Sequence, residues 1–203
     1  MAVSGDLLFC GRQRSDGASL SDLLRHLQEK GVSKAVDEIP QEQFQELTDD
    51  ELAQAVVKKL TIEPLALQRS EGEGKVTEQD VEVHSHWDGI VRVPGLHVEQ
   101  RVPFTGEADL FELRPNTFDM NPPRGSVRGS SLVIGIDVRV GEEDTALQHI
   151  KGELDKVEAN IERQRKDLEA YNERLRGQIA PAVAARRAKL QSASSLTGKM
   201  KGL

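Results

Sequence analysis

"LQHIKGELDKVEANIERQRKDLEAYNERL", residues 147–175, is the stretch on which the fold turns. Leu147, Ile150, Leu154, Val157, Ile161, Gln164, Leu168, Tyr171 and Leu175 step along it by three and four without a slip, and Gln164 alone breaks the apolar row. The positions between are rich in Glu, Lys, Arg and Gln, so the pattern is a helix with one apolar stripe, kept in coiled-coil register over about four heptads. Counted from Glu142, about 34 helical residues rise about 50 Å, further than a small sheet extends. Part of the row therefore has to meet another helix. The same helix of a second subunit, the N-terminal arm and the segment after Pro181 are the three partners the sequence offers. Pro181 kinks the helix or opens a new one over "PAVAARRAKL", which gives a long helix with a kinked extension over 142–192 and a tail or linker over 193–203.

Upstream of the helix the period changes to two. "VEVHSHW" (81–87) alternates Val81, Val83, Ser85 and Trp87 against Glu82, His84 and His86, and "LHVEQRVPF" (96–104) and "SLVIGIDVRV" (131–140) alternate in the same way. With "ADLFELRP" (108–115) and "GSVRG" (125–129) as shorter strands, residues 76–141 read as a small antiparallel β-sandwich or half-barrel of five or six strands that needs a helical cover. Residues 1–70 read as a helical N-terminal arm. "SLSDLLRHLQEKG" (19–31) spaces Leu20, Leu23, Leu24 and Leu27 for a helix, with Ser19 or Ser21 as cap and Gly31 as stop. In "TDDELAQAVVKKL" (48–60), Thr48 and Glu51 form a capping box ahead of Leu52, Val56 and Leu60. The fold class is α+β.

The most heavily punctuated stretch is "VPFTGEADLFELRPNTFDMNPPRG", residues 102–125. Thr105-Gly106 ends one strand, the tight turn brings Phe104 and Phe111 to a common core, and Pro122-Pro123 stiffens the exit. It reads as a rigid architectural crossing with Phe118 and Met120 as plugs. The competing reading is a recognition loop that exposes Arg114, Asn116 and Asn121.

Composition narrows the function. The 203 residues carry a net charge of −7, 30% charged and 3% aromatic residues, too few aromatics for a stacking surface that binds nucleic-acid bases. No apolar run reaches the roughly 18 residues of a membrane span, and the start lacks a secretory signal. The single Cys10 allows no internal disulfide and no multi-cysteine zinc site, which fits a cytoplasmic chain. Acidic residues stop at Glu173, after which Arg174, Arg176, Arg186, Arg187, Lys189, Lys199 and Lys201 follow. That basic end suits nucleic acid, with Arg186, Arg187 and Lys189 as its contacts, or simply complements the helix macrodipole. His84, His86 and Asp88 lie close enough for a metal site of a hydrolase, but no strong further ligand accompanies them beyond His97 on another strand, and the solvent face of a strand accounts for them equally. Cys10 sits in no nucleophile-elbow context and "GEGK" is not a phosphate loop. No catalytic residue, metal or cofactor is therefore expected. The reading is an interaction or oligomerisation module, with Leu147, Ile150, Leu154, Val157, Ile161, Leu168, Tyr171 and Leu175 as its interface to a second copy or a partner protein.

With "VPFTGEADLFELRPNTFDMNPPRGSVRG", "LVIGIDV" and "IKGELDKVEANIERQRKDLEAYNERLRGQIAPAVAARRAKL" in view, the chain resembles, over residues 81–190, the N-terminal part of a family of uncharacterised bacterial proteins. The likeness includes Tyr171-Asn172 and Arg186-Arg187. In that family a nuclease-like domain of the PD-(D/E)xK type, or another effector, often follows the long helix, whereas this sequence ends at Leu203. Either the sequence is a piece of a longer chain or its effector sits on another chain; in both cases the resemblance implies a non-catalytic adaptor, sensor or oligomerisation module, in prokaryotic defence, and it carries over no catalytic residue.

Overall fold

The computed structural model describes residues 2–11, 19–85, 89–117 and 120–200, and they form an α+β fold of two compact units. The first unit comprises residues 1–20 and 63–165, the second residues 21–62 and 166–203. Both draw on the long helix, so the units do not follow the expected divisions at residues 70 and 141.

The first unit is built on antiparallel strands: β1 (Ala2–Ser4), β2 (Asp6–Leu7), β3 (Ala66–Leu67), β4 (Glu73–Ser85), β5 (Gly89–Thr105), β6 (Arg124–Arg128) and β7 (Ser131–Arg139). They are joined in one sheet of seven strands, where a sandwich or half-barrel of five or six was expected. β7 is its centre. It pairs with β5 from Gly95–Arg139 to Pro103–Ser131, with β6 through Ser126–Val133, and with β1 through Val3–Ile136. The N-terminal residues therefore belong to the sheet and not to a helical arm. Leu132, Ile134, Ile136 and Val138 alternate along β7 and are all buried. "ADLFELRP" forms a 3₁₀ turn over Ala108–Phe111 and no strand, because its Leu110, Phe111 and Leu113 must all turn inward within four residues. Strand alternation would put every second residue outside.

β4 and β5 make a long hairpin that outruns its neighbour. β7 accompanies β5 only from Gly95 onward, so Val81–Val93, Glu82–Arg92 and Val83–Val91 pair as a two-stranded ribbon. Gly95 marks where ribbon meets sheet: a Cβ there would lie 2.5 Å from Val81 Cγ1 and 2.6 Å from the Val138 carbonyl oxygen. At the other end of β5, Gly106 takes φ +93° and a Cβ would meet the Pro64 oxygen at 2.3 Å, so the turn after Thr105 requires glycine. Phe104 and Phe111 share the core beyond it, edge to face at 5.0 Å between centroids.

The second unit is helical. α1 (Leu20–His26) continues through a π-helical turn at Leu27–Gly31 into α2 (Val32–Asp37), so Gly31 does not end the helix. α3 (Gln43–Glu46) and α4 (Asp49–Leu60) follow. α4 starts with the expected capping box: the Glu51 N–H donates to Thr48 Oγ1 at 3.3 Å and the Thr48 N–H to Glu51 Oε2 at 2.9 Å. α5 (Glu143–Met200) runs as one helix with Pro181 inside it, including residues expected to be a tail. Among the described residues no helix is long and apolar enough to cross a membrane.

Candidate interaction surfaces

Seven of the eight seam residues are buried in this single chain: Ile150, Leu154, Val157, Ile161, Leu168, Tyr171 and Leu175 are each 6% exposed or less. Only Leu147, at 62%, is open. The seam is thus not the free interface expected from its spacing, because the chain's own elements fill it. In the first unit the row Ala146, Ile150, Leu154, Val157 and Ile161 is buried. Its helical turns are pinned by polar contacts: Arg69 bridges Asp155 and Glu158, both at 2.9 Å. Gln164, the break in the apolar row, donates from Nε2 to the carbonyls of Leu110 (2.9 Å) and Leu113 (2.7 Å), tying the helix to the 3₁₀ turn. A leucine in its place would remove the side-chain donor from both carbonyls, leaving the Leu110 carbonyl with the Leu113 N–H at 3.2 Å alone.

In the second unit the helix is met by the N-terminal arm, one of the three partners the sequence allowed. The Tyr171 hydroxyl donates to the Leu60 carbonyl at 3.2 Å, and burial pushes its phenol pKa up. Asn172 closes a reciprocal pair with Ile62, accepting from its N–H at 3.3 Å and donating to its carbonyl at 3.1 Å. The buried row continues through Ile179 and Val183.

The basic end is drawn into the same unit. Arg187 donates from Nε to Asp49 at 2.5 Å, from its terminal nitrogens to the carbonyls of Phe44 and Leu47, and lies 5.5 Å from the Phe44 ring centroid. A guanidinium so occupied is a clasp between α5 and the α3–α4 turn, not the phosphate contact expected of it. Arg186 is 3.6 Å from Asp37, and Lys189 is exposed. Charge counting along the sequence could not separate these three, since the groups that engage Arg187 lie some 140 residues away in the chain.

His86, Trp87, Asp88 and Phe118 lie outside the described residues; His84 pairs with Ile90 in the ribbon. Met120, read as a plug, is 89% exposed. His97 has partners of its own: Nδ1 is 2.5 Å from Asp137 and Nε2 3.2 Å from Glu99. Burial opposes its protonation, but the two carboxylates outweigh burial and hold its pKa above the ordinary value. Among the described residues no group of three His, Cys, Asp or Glu side chains is placed to hold a metal.

What remains open is the end of α5. Every residue from Gln191 to Met200 is exposed although helical, with Leu196 at 61% and Met200 at 70%, one turn apart on one face. Comparison with family models, curated proteins and solved structures finds no match.

Proposed function

We propose that this chain is a non-catalytic interaction module, an adaptor or sensor that assembles through its long helix and presents a partner or effector. The observation that carries the reading is the helical, fully exposed segment Gln191–Met200. Its serines, threonine and glycine are poor helix formers, and a short helix that buries nothing is marginal in water. Leu196 and Met200 gain by covering one face with a partner, and Leu147 adds a second open apolar position earlier in the same helix. The basic charge of this end suits an acidic protein surface. The family resemblance supports a role in prokaryotic defence, and the single cysteine suits a cytoplasmic setting.

Light scattering behind size exclusion, at two concentrations and two salt levels, tests the assembly. A mass of two or more chains is expected, falling to one chain in the Leu196→Asp, Met200→Asp variant with an unchanged circular-dichroism spectrum. A single-chain mass throughout would overturn assembly with itself.

A further inference from the structure

β4 closes the sheet on one side. It pairs with β5 along its whole length, and among the described residues no other strand pairs with it. Its outer edge therefore presents a row of backbone N–H and C=O groups with no strand to receive them. Every residue from Glu73 to Asp80 is exposed, so among the described residues no loop or helix covers that edge.

Open edges are normally blunted by shortness, a proline, a bulge or a charge. β4 has none of the first three. It runs for 13 residues without proline, and its register with β5 is unbroken from Glu73–Arg101 to Ser85–Gly89. It is charged instead, and at alternate positions. Glu78, Asp80 and Glu82 share the face that β7 continues with Ile136 and Val138, and Val76, 61% exposed, stands next in the same row. Glu82 pairs with Arg92 at 3.1 Å, whereas Glu78 and Asp80 meet no cation among the described residues.

These charges decide what can pair there. A second copy would join antiparallel about a two-fold axis, so that residues of one face oppose each other. The registers that pair most of the strand, centred on Glu78, Gln79 or Asp80, set Glu78 on Glu78, Glu78 on Asp80 or Asp80 on Asp80. Like charges directly opposite are destabilising, so an edge that rejects its own copy selects a strand of opposite charge.

We propose that this edge receives an extended segment of a partner protein as an added antiparallel strand, with Lys or Arg beside Asp80 and Glu78 and an apolar side chain beside Val76. Antiparallel pairing is slightly the more stable per residue and matches every strand pair already in the sheet. Such a strand meets Asp80 first, so in chain direction the segment reads basic-x-basic-x-apolar. Backbone pairing supplies the affinity, and the alternate side chains supply the choice of partner. The surface belongs to the first unit and does not depend on assembly through α5, so a single-chain mass in light scattering leaves it intact.

The test is an amide NMR titration of the intact chain with the end-blocked peptide Thr-Lys-Thr-Lys-Thr-Val-Thr. Its control, Thr-Thr-Lys-Lys-Val-Thr-Thr, keeps composition and charge but loses the alternation. The first peptide is expected to give saturable shifts along β4, about tenfold tighter than the control. It is expected to bind about tenfold more weakly to the double variant Glu78→Gln, Asp80→Asn, whose two positions are exposed. No saturable shift in the parent chain would overturn the site, a result that needs no variant to fold. Equal binding of the control would reduce the contact to unspecific charge attraction and overturn strand addition. Unchanged affinity in the double variant would overturn the placement.

Discussion

His97 shows how much one residue's partners matter. It sits directly opposite Asp137 on paired strands, with Glu99 two positions along its own strand. Gln79 Nε2 donates to the same Asp137 oxygen at 2.7 Å, fixing that carboxylate beneath the ring. With the folded-state pKa raised, protonated His97 contributes stability that is fully present below the ordinary imidazole value of about 6.5 and is lost as pH rises through the folded value. Melting temperature is therefore expected to fall as pH is raised above about 6.5, and that slope to be reduced in His97→Gln. An identical slope in the variant would assign the pH dependence to other groups. Gln164 shows the same principle without charge. Its polar side chain in an apolar row reads as a flaw in the heptad, whereas in space it satisfies two turn carbonyls.

At the scale of elements, α5 carries an internal cost at Pro181. A proline there has no N–H for the Gly177 carbonyl and its ring crowds that carbonyl, a loss of about 3 kcal/mol in a helix interior relative to alanine. The helix nevertheless continues, because Ile179 and Val183 on either side are buried and Arg187 clasps the next turn to α3 and α4. Packing outweighs propensity. Pro181→Ala is expected to stabilise the second unit by about 1–3 kcal/mol, read as a higher denaturant midpoint with an unchanged slope. The capping box at Thr48 and the alternation in β5 and β7 were legible because each lies within one short window of sequence. The strands at Ala2–Ser4 and Asp6–Leu7 were not, since strands so short show no period and exist only because β7 and β6 offer them an edge.

At the scale of the whole molecule, the buried seam changes what a seam mutation reports. Leu154→Asp places a carboxylate at a position 5% exposed with no cation assigned to it, and is expected to lose the first unit's folded signal, a cost of about 3–5 kcal/mol. Leu196→Asp, at an exposed site, is expected to leave the melting curve within about 0.5 kcal/mol of the parent when both are compared at concentrations where the parent is a single chain. A Leu154→Asp chain that stayed folded would return the seam to the surface.

By itself the sequence determined that the chain alternates at period two before residue 140 and at coiled-coil spacing after it, hence an α+β protein with one long helix, because periodicity is a local property of side-chain placement. Only the tertiary structure decided what covers that helix. An apolar stripe is equally stabilised by any apolar surface, and burial is not directional enough for the stripe to name its partner. The chain's own sheet unit and arm took most of the seam, Arg187 became a clasp, and β4 stayed an edge strand because β7 took the opposite side of β5.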